Sequence, residues 1–147
     1  MTRPVEIKPR DAGRPGSEYE NWAVGVPFAE LTFEITPDIC DEYAVAITGR
    51  PDGYVIGGKR AAIPSIFGLY LNAVLHRTYY PNHGVMVDTR FRFHRPVWAD
   101  ETTWVRATGH IKDKFEKRGR KYMKWSAEFI GRDGNAILSA DTTVAFA

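Results

Sequence analysis

The chain has 147 residues, 44% hydrophobic and 26% charged, and its 20 lysines and arginines against 18 acidic residues leave a net charge of +2. Such a balance fits one globular domain and excludes wholesale disorder and a surface given over to nucleic-acid phosphates. One cysteine, Cys40, excludes an internal disulfide and a cysteine-based zinc cluster, and no apolar run approaches the ~20 residues that span a bilayer.

Residues 1–18 hold Pro4, Pro9, Pro15, Gly13 and Gly16 among charges. They carry too little apolar surface to offset their ordering entropy, which predicts a flexible or draped arm ahead of a single domain over residues 19–147. The opening lacks the apolar stretch of a secretion signal, so a cytoplasmic protein is expected. From Phe28 to Ile35 the pattern alternates, with Leu31, Phe33 and Ile35 on one side, as in a half-buried strand. Thr36, Pro37 and Asp38 supply an N-cap, a first-turn proline and a first-turn acid for a helix that should stop at Gly49. Residues 50–60 are rich in turn formers and read as an ordered loop.

Pro64 and Ser65 look like a second helix start, with Ser65 as cap. The segment that follows, Ile66 to Leu75, is apolar on nearly every face, which requires protein all around it. From Gly84 the period changes to two. Strands are predicted over Val85–Phe93, Trp104–Ile111, Tyr122–Ile130 and Ala136–Ala145, with a hairpin turn at Arg132-Asp133-Gly134-Asn135. Read as consecutive hairpins, they form an antiparallel meander. The expected architecture is α+β, with a curved antiparallel sheet wrapped around a central apolar helix: the hotdog fold.

Several segments support a more specific reading. Tyr19-Glu20-Asn21-Trp22-Ala23-Val24-Gly25, Ile35-Thr36-Pro37-Asp38, Phe91 through Thr102 and Lys114 through Lys121 occur in the order and spacing of a known family. The chain resembles a single-hotdog member of the MaoC-like enoyl-CoA hydratase and dehydratase superfamily. Phe91–Thr102 is similar to its F-x-R-P-V-x-x-G-D-T segment, with Ala99 in place of the glycine. The resemblance implies a ligand that is an acyl-CoA or acyl-carrier-protein thioester, and a homodimer or a heterodimer with another hotdog subunit. It does not imply binding to nucleic acid or membrane.

In that family an Asp and a His within D-x-N-P-x-H converge on one water, because hydration needs water deprotonated while the α-carbon is protonated. The corresponding stretch here is Ile47 to Val55. Laid on without a gap, the Asp falls on Arg50, the Asn on Asp52 and the His on Val55; one residue of slippage places Tyr54 at the His position. Neither Arg50 nor Val55 is a general base at neutral pH. Asp52 as base with Tyr54 as hydrogen-bond donor is the catalytic alternative, and an Asp52-Gly53 turn is the plain one. Family members with Tyr at that position are commonly non-catalytic halves or partners.

The first turn of the apolar helix, with Ser65, Ile66 and Gly68, is implied by the resemblance as the place where an N–H polarises the thioester carbonyl; Ser65 as a simple cap is the alternative. Lys59 and Arg60 before that helix, and Arg118 and Arg120 within the densest basic run, are candidates for the phosphates of coenzyme A. His76 and His83 bracket the end of the apolar helix, facing a neighbouring subunit or meeting the helix dipole, and His94 reads as a solvated or interface histidine ahead of a catalytic one. The four histidines lack ligand spacing and no Gly-rich phosphate loop follows a strand, so no metal and no cofactor are expected.

Three activities therefore stand open. One is an enoyl-thioester hydratase or 3-hydroxyacyl-thioester dehydratase, a lyase of fatty acid metabolism using non-standard groups. The second is a non-catalytic acyl-thioester-binding or partner subunit of an active hotdog dehydratase. The third is an acyl-CoA thioesterase, which usually wants a carboxylate near the apolar helix; residues 61–75 hold none.

Overall fold

The structure, a computed structural model, describes residues 2–146. In chain order it contains β1 (Leu31–Ile35), α1 (Pro37–Thr48), β2 (Val55–Ile56), β3 (Lys59–Arg60), α2 (Ile66–His76), β4 (Val85–Phe93), β5 (Thr103–Lys117), β6 (Arg120–Gly131) and β7 (Ala136–Phe146). Helix α1 follows its sequence signals closely. Thr36 accepts from the Ile39 N–H, Pro37 opens the first turn, and Gly49 closes the helix at φ +81°, a left-handed conformation that side chains resist.

Five strands make one antiparallel sheet in the order β1-β5-β6-β7-β4, and β2 and β3 form a separate two-residue hairpin within the loop expected at 50–60. The expected meander is corrected at one point: β4 pairs with β7, from Val85↔Ala145 to Phe93↔Leu138, and not with β5. Alternation identifies a strand's two faces and leaves its neighbour open, so chain order misplaced β4. Strands β5 and β6 also run further than predicted, because their ladder continues to Lys117↔Arg120, with β7 paired alongside β6 as far as Lys121↔Phe146.

The inner face of the sheet, with Val105, Ala107, Ile111, Met123, Trp125, Phe129, Leu138 and Val144, packs with α2 into one core. Tyr70 of α2 stacks on Phe33 at 4.0 Å between ring centroids, and Phe67 meets Phe129 edge-on at 5.4 Å. A curved sheet holding a central apolar helix is the hotdog arrangement, as the sequence implied. Enclosure of α2 is less complete than its composition suggested. Ile66, Phe67, Tyr70, Leu71, Val74 and Leu75 are buried, whereas Ser65 and Asn72 are exposed and Leu69 is 46% exposed. One stripe of the helix is open in the single chain.

The N-terminal arm lies along the helices. Arg3 pairs with Glu42 of α1, the Tyr70 hydroxyl donates to the Thr2 carbonyl at 2.7 Å, and the Arg10 N–H donates to the His76 carbonyl at 2.9 Å. Hydrogen bonds to both helices supply the ordering that composition alone did not offer.

The connector from β4 to β5, residues 94–102, crosses the end of the sheet and is pinned there. Arg95 makes a bidentate pair with Asp133 at 2.6 and 2.8 Å and donates to the Asn135 carbonyl at 3.2 Å. Gly131 allows the crossing, since a Cβ there would stand 2.1 Å from the Arg95 guanidinium. The Arg95 hydrogen bond holds the Asp133 carboxyl well below its ordinary 3.8. A depressed carboxylate pKa stabilises the fold above 3.8 and loses that contribution as pH falls below it. Thermal melts are therefore expected to lose less stability between pH 5 and pH 3, on the order of those values, in Asp133→Asn than in the parent. An identical acid dependence in both proteins would show that the latch carries none of it.

Candidate functional site

The largely apolar cleft beside the start of α2 is lined by two chain segments that hydrogen bonds hold together. Ala62 N–H donates to the Val97 carbonyl at 2.8 Å, Ala99 N–H to the Arg60 carbonyl at 3.1 Å, and Ala61 bridges to Trp98. The loop after α1 is thereby fixed against the β4–β5 connector. Between them and α2 lies a cleft of about 340 Å³ with Ile56, Ala62, Phe67, Phe93 and Val97 as apolar lining. Tyr54, His94 and Arg95 supply its polar groups. That volume is at the lower end of small-molecule sites.

Tyr54 and Asp52, weighed together in sequence, part company here. Tyr54 lines the cleft, its carbonyl accepting from Ala61 N–H at 3.1 Å. Asp52 stands in the turn after α1 with its side chain 66% exposed, 3.5 Å from Arg50, and is not among the lining residues. No carboxylate lines the cleft. His94, read as a solvated or interface histidine, is exposed and also borders the cleft, with its backbone N–H bonded to the Ile137 carbonyl at 2.8 Å where β4 gives way to the connector. The sequence signal was its position directly before Arg95-Pro96, which ends the strand and turns the chain across the sheet.

Ser65 precedes α2 but makes no side-chain cap; its hydroxyl is 2.9 Å from the Tyr43 hydroxyl of α1. Ser65 adopts helical dihedrals, φ −64° and ψ −12°, which do not present its oxygen to the helix N–H groups. The N–H groups of Ile66, Phe67 and Gly68 donate to the carbonyls of Ile63, Pro64 and Ser65 at 3.0 to 3.2 Å. Those donors are engaged in this structure, so an oxyanion role for Ile66 and Gly68 needs the first turn to loosen.

The four phosphate candidates fall in two places. Lys59 is 3.1 Å from Glu101 and lies 4.4 Å over the Trp98 ring. Arg60 pairs with Asp41 and, at 2.8 Å, with Asp100, tying α1, the loop and the connector together. Arg118 and Arg120 lie at the far tip of the β5–β6 ribbon, where Arg118 takes a left-handed turn conformation at φ 52°. The 15 residues of β5 separate that tip from the connector. The structure does not bring the two pairs together. Cys40 is buried in the core, and burial pushes its thiol up to about 11, leaving it without a nucleophile's thiolate. Among the described residues no cluster of His, Cys, Asp and Glu is suited to a metal, and no helix is long and apolar enough to cross a membrane.

The fold so defined is that of the MaoC-like hotdog proteins. A MaoC-like dehydratase from Rhodospirillum rubrum superposes with a TM-score of 0.69 at 12% identity, over 86% of this chain and 94% of that one. The R-hydratase PhaJ1 from Pseudomonas aeruginosa gives 0.66 at 16% identity, over 86% and 83%. The HadBC (3R-hydroxyacyl-ACP dehydratase) complex from Mycobacterium tuberculosis gives 0.65 at 22% identity, over 84% and 96%. No family model matches the sequence, and no curated protein matches it.

Proposed function

We propose that this protein binds an acyl thioester in the Tyr54–His94 cleft and serves as a substrate-binding hotdog subunit, without the usual acid–base pair of its own. The observation that carries the reading is the lining: an apolar pocket beside an α2 N-terminus, with a phenol and an imidazole but no carboxylate. Such a pocket holds an acyl chain by burial and its carbonyl by hydrogen bonding. It lacks a carboxylate suited to take a proton from water. The dehydratase and hydratase neighbours agree with this ligand class, and HadBC and the ChsH1-ChsH2 complex of Mycobacterium tuberculosis are hetero-assemblies. The partner of this chain is a second hotdog, joined along the open edge of β4.

Hydration or dehydration by this chain itself is the second reading, and Tyr54 and His94 sharing one cleft favours it. In that scheme the imidazole takes the water proton as the oxygen bonds the β-carbon and delivers it to the α-carbon, while the phenol hydrogen-bonds the thioester oxygen. Two measurements separate the readings. Calorimetric titration with a short acyl-pantetheine is expected to show binding that Phe93→Asp weakens about tenfold or more, since a charge in an apolar lining opposes an acyl chain. Crotonyl-CoA hydration by the purified protein is expected to stay at background. Turnover well above background that falls about a hundredfold in His94→Ala would establish the second reading, and no binding of acyl-pantetheine would sink both.

A further inference from the structure

At the other end of α2 from the cleft, the N-terminal arm closes off a separate cavity of about 390 Å³. The cleft adjoins Pro64 and Phe67 at the start of the helix, whereas Arg77, Thr78 and Tyr79, just past its end, line this one. The 11 residues of α2, about 16 Å of helix, separate the two. Arg10 and Arg14 of the arm, with Asn21, also border the cavity.

Three guanidiniums therefore share one space, and none is ion-paired among the described residues. Their hydrogen bonds go to the backbone instead. Arg10 donates from Nε to the Tyr80 carbonyl at 3.0 Å and from Nη2 to the Arg14 and Pro15 carbonyls. Arg77 donates from Nη1 to the Lys8 carbonyl at 3.3 Å. Nη1 of Arg10 and Nε and Nη2 of Arg77 stay uncommitted, and the Arg14 side chain makes no hydrogen bond among the described residues. Two acids stand nearby in sequence. Asp11 accepts from Gly13 N–H at 2.9 Å, and Glu18 from Gly16 N–H at 3.2 Å and the Asn21 amide at 2.9 Å. Glu18 acts on Arg10 through space, yet neither acid lines the cavity. Arginine keeps its charge at neutral pH, so three such heads around one space repel one another until an anion enters.

We propose that this cavity binds a small phosphorylated compound, whose phosphate oxygens bridge Arg10 and Arg14 of the arm to Arg77 at the end of α2. The planar fork of arginine matches phosphate oxygens in pairs, and a multiply charged anion answers three cations where a monocarboxylate answers one. Guanidiniums already oriented by backbone carbonyls lose little freedom on gripping it. Neutral donors are at hand as well. Asn21 keeps an amide proton beyond its bond to Glu18, and the Thr78 hydroxyl, which accepts from Ala29 N–H at 2.8 Å, keeps its own. The volume lies within the range of small-molecule sites, which leaves room for an organic remainder beside Tyr79. The bound anion ties the arm to the helix end, and the site stands independently of what the cleft binds.

Calorimetric titration with sodium pyrophosphate at fixed ionic strength tests the assignment. Saturable binding is expected with a Kd below about 1 mM. Arg14→Gln and Arg77→Gln are each expected to weaken it about tenfold, since each removes charge-assisted hydrogen bonds from a different side of the bridge. Lys117→Gln, at the β5–β6 turn, removes the same charge elsewhere and should leave the affinity unchanged. The Arg14 side chain is exposed and unbonded, so its variant remains informative if Arg77→Gln does not fold. Absent saturation at about 10 mM pyrophosphate, equal affinity in parent and Arg14→Gln, or an equal loss in Lys117→Gln overturns the site. Citrate binding more tightly than pyrophosphate would refute phosphate as the ligand chemistry.

Discussion

Replacing Phe67 by alanine is expected to lower the unfolding free energy by about 3–5 kcal/mol, read from urea denaturation. The ring is 2% exposed and meets Phe129 at 5.4 Å, Phe93 at 6.3 Å and Tyr70 at 6.5 Å, so its loss leaves a hole that three rings border. Because one side of the ring also lines the cleft, the neighbours can partly relax into that space, which favours the lower half of the range. Phe67→Leu keeps most of the volume and should cost far less. A loss below about 1 kcal/mol for alanine would mean that α2 is not held by its buried face, contrary to the packing described.

The second large effect concerns association. Strand β4 pairs only with β7, so its other edge offers unpaired N–H and C=O groups. It is also the least covered strand of the five-stranded sheet: Val85 is 66% exposed, Val87 53% and Phe93 43%. Sedimentation is expected to show a dimer at micromolar concentration, and Val85→Glu/Val87→Glu to weaken it about a hundredfold or more through like charges facing across the edge. A monomeric parent protein would remove the basis for joining two hotdogs at β4.

Much of the fold was legible because its signals are local. Thr36-Pro37 and Gly49 bracket α1, and the Arg132–Asn135 turn separates β6 from β7, in each case through residues whose backbone preferences act within a few positions. What the sequence withheld is long-range. The neighbour of β4, the docking of Thr2 and Arg3 on α1 and α2, and the diversion of Ser65 from capping to Tyr43 all depend on partners twenty or more residues away. The site was legible to the same degree. Tyr54 was marked by comparison with a family pattern, while His94 joins it only because the connector folds back over the sheet end. Arg60, a free cation on paper, finds Asp41 and Asp100 from two other elements.

The Arg95 latch has a consequence for residues remote from any ligand. Its guanidinium is anchored in the β6–β7 turn, while the residue borders both the cleft and a second cavity between the connector and that turn. A Cβ added at Gly131 would stand 2.1 Å from that guanidinium and force it to move, so a change in the hairpin reaches a residue that borders both compartments. Variation in this turn thus reaches the wall of the cleft without altering any of its apolar lining.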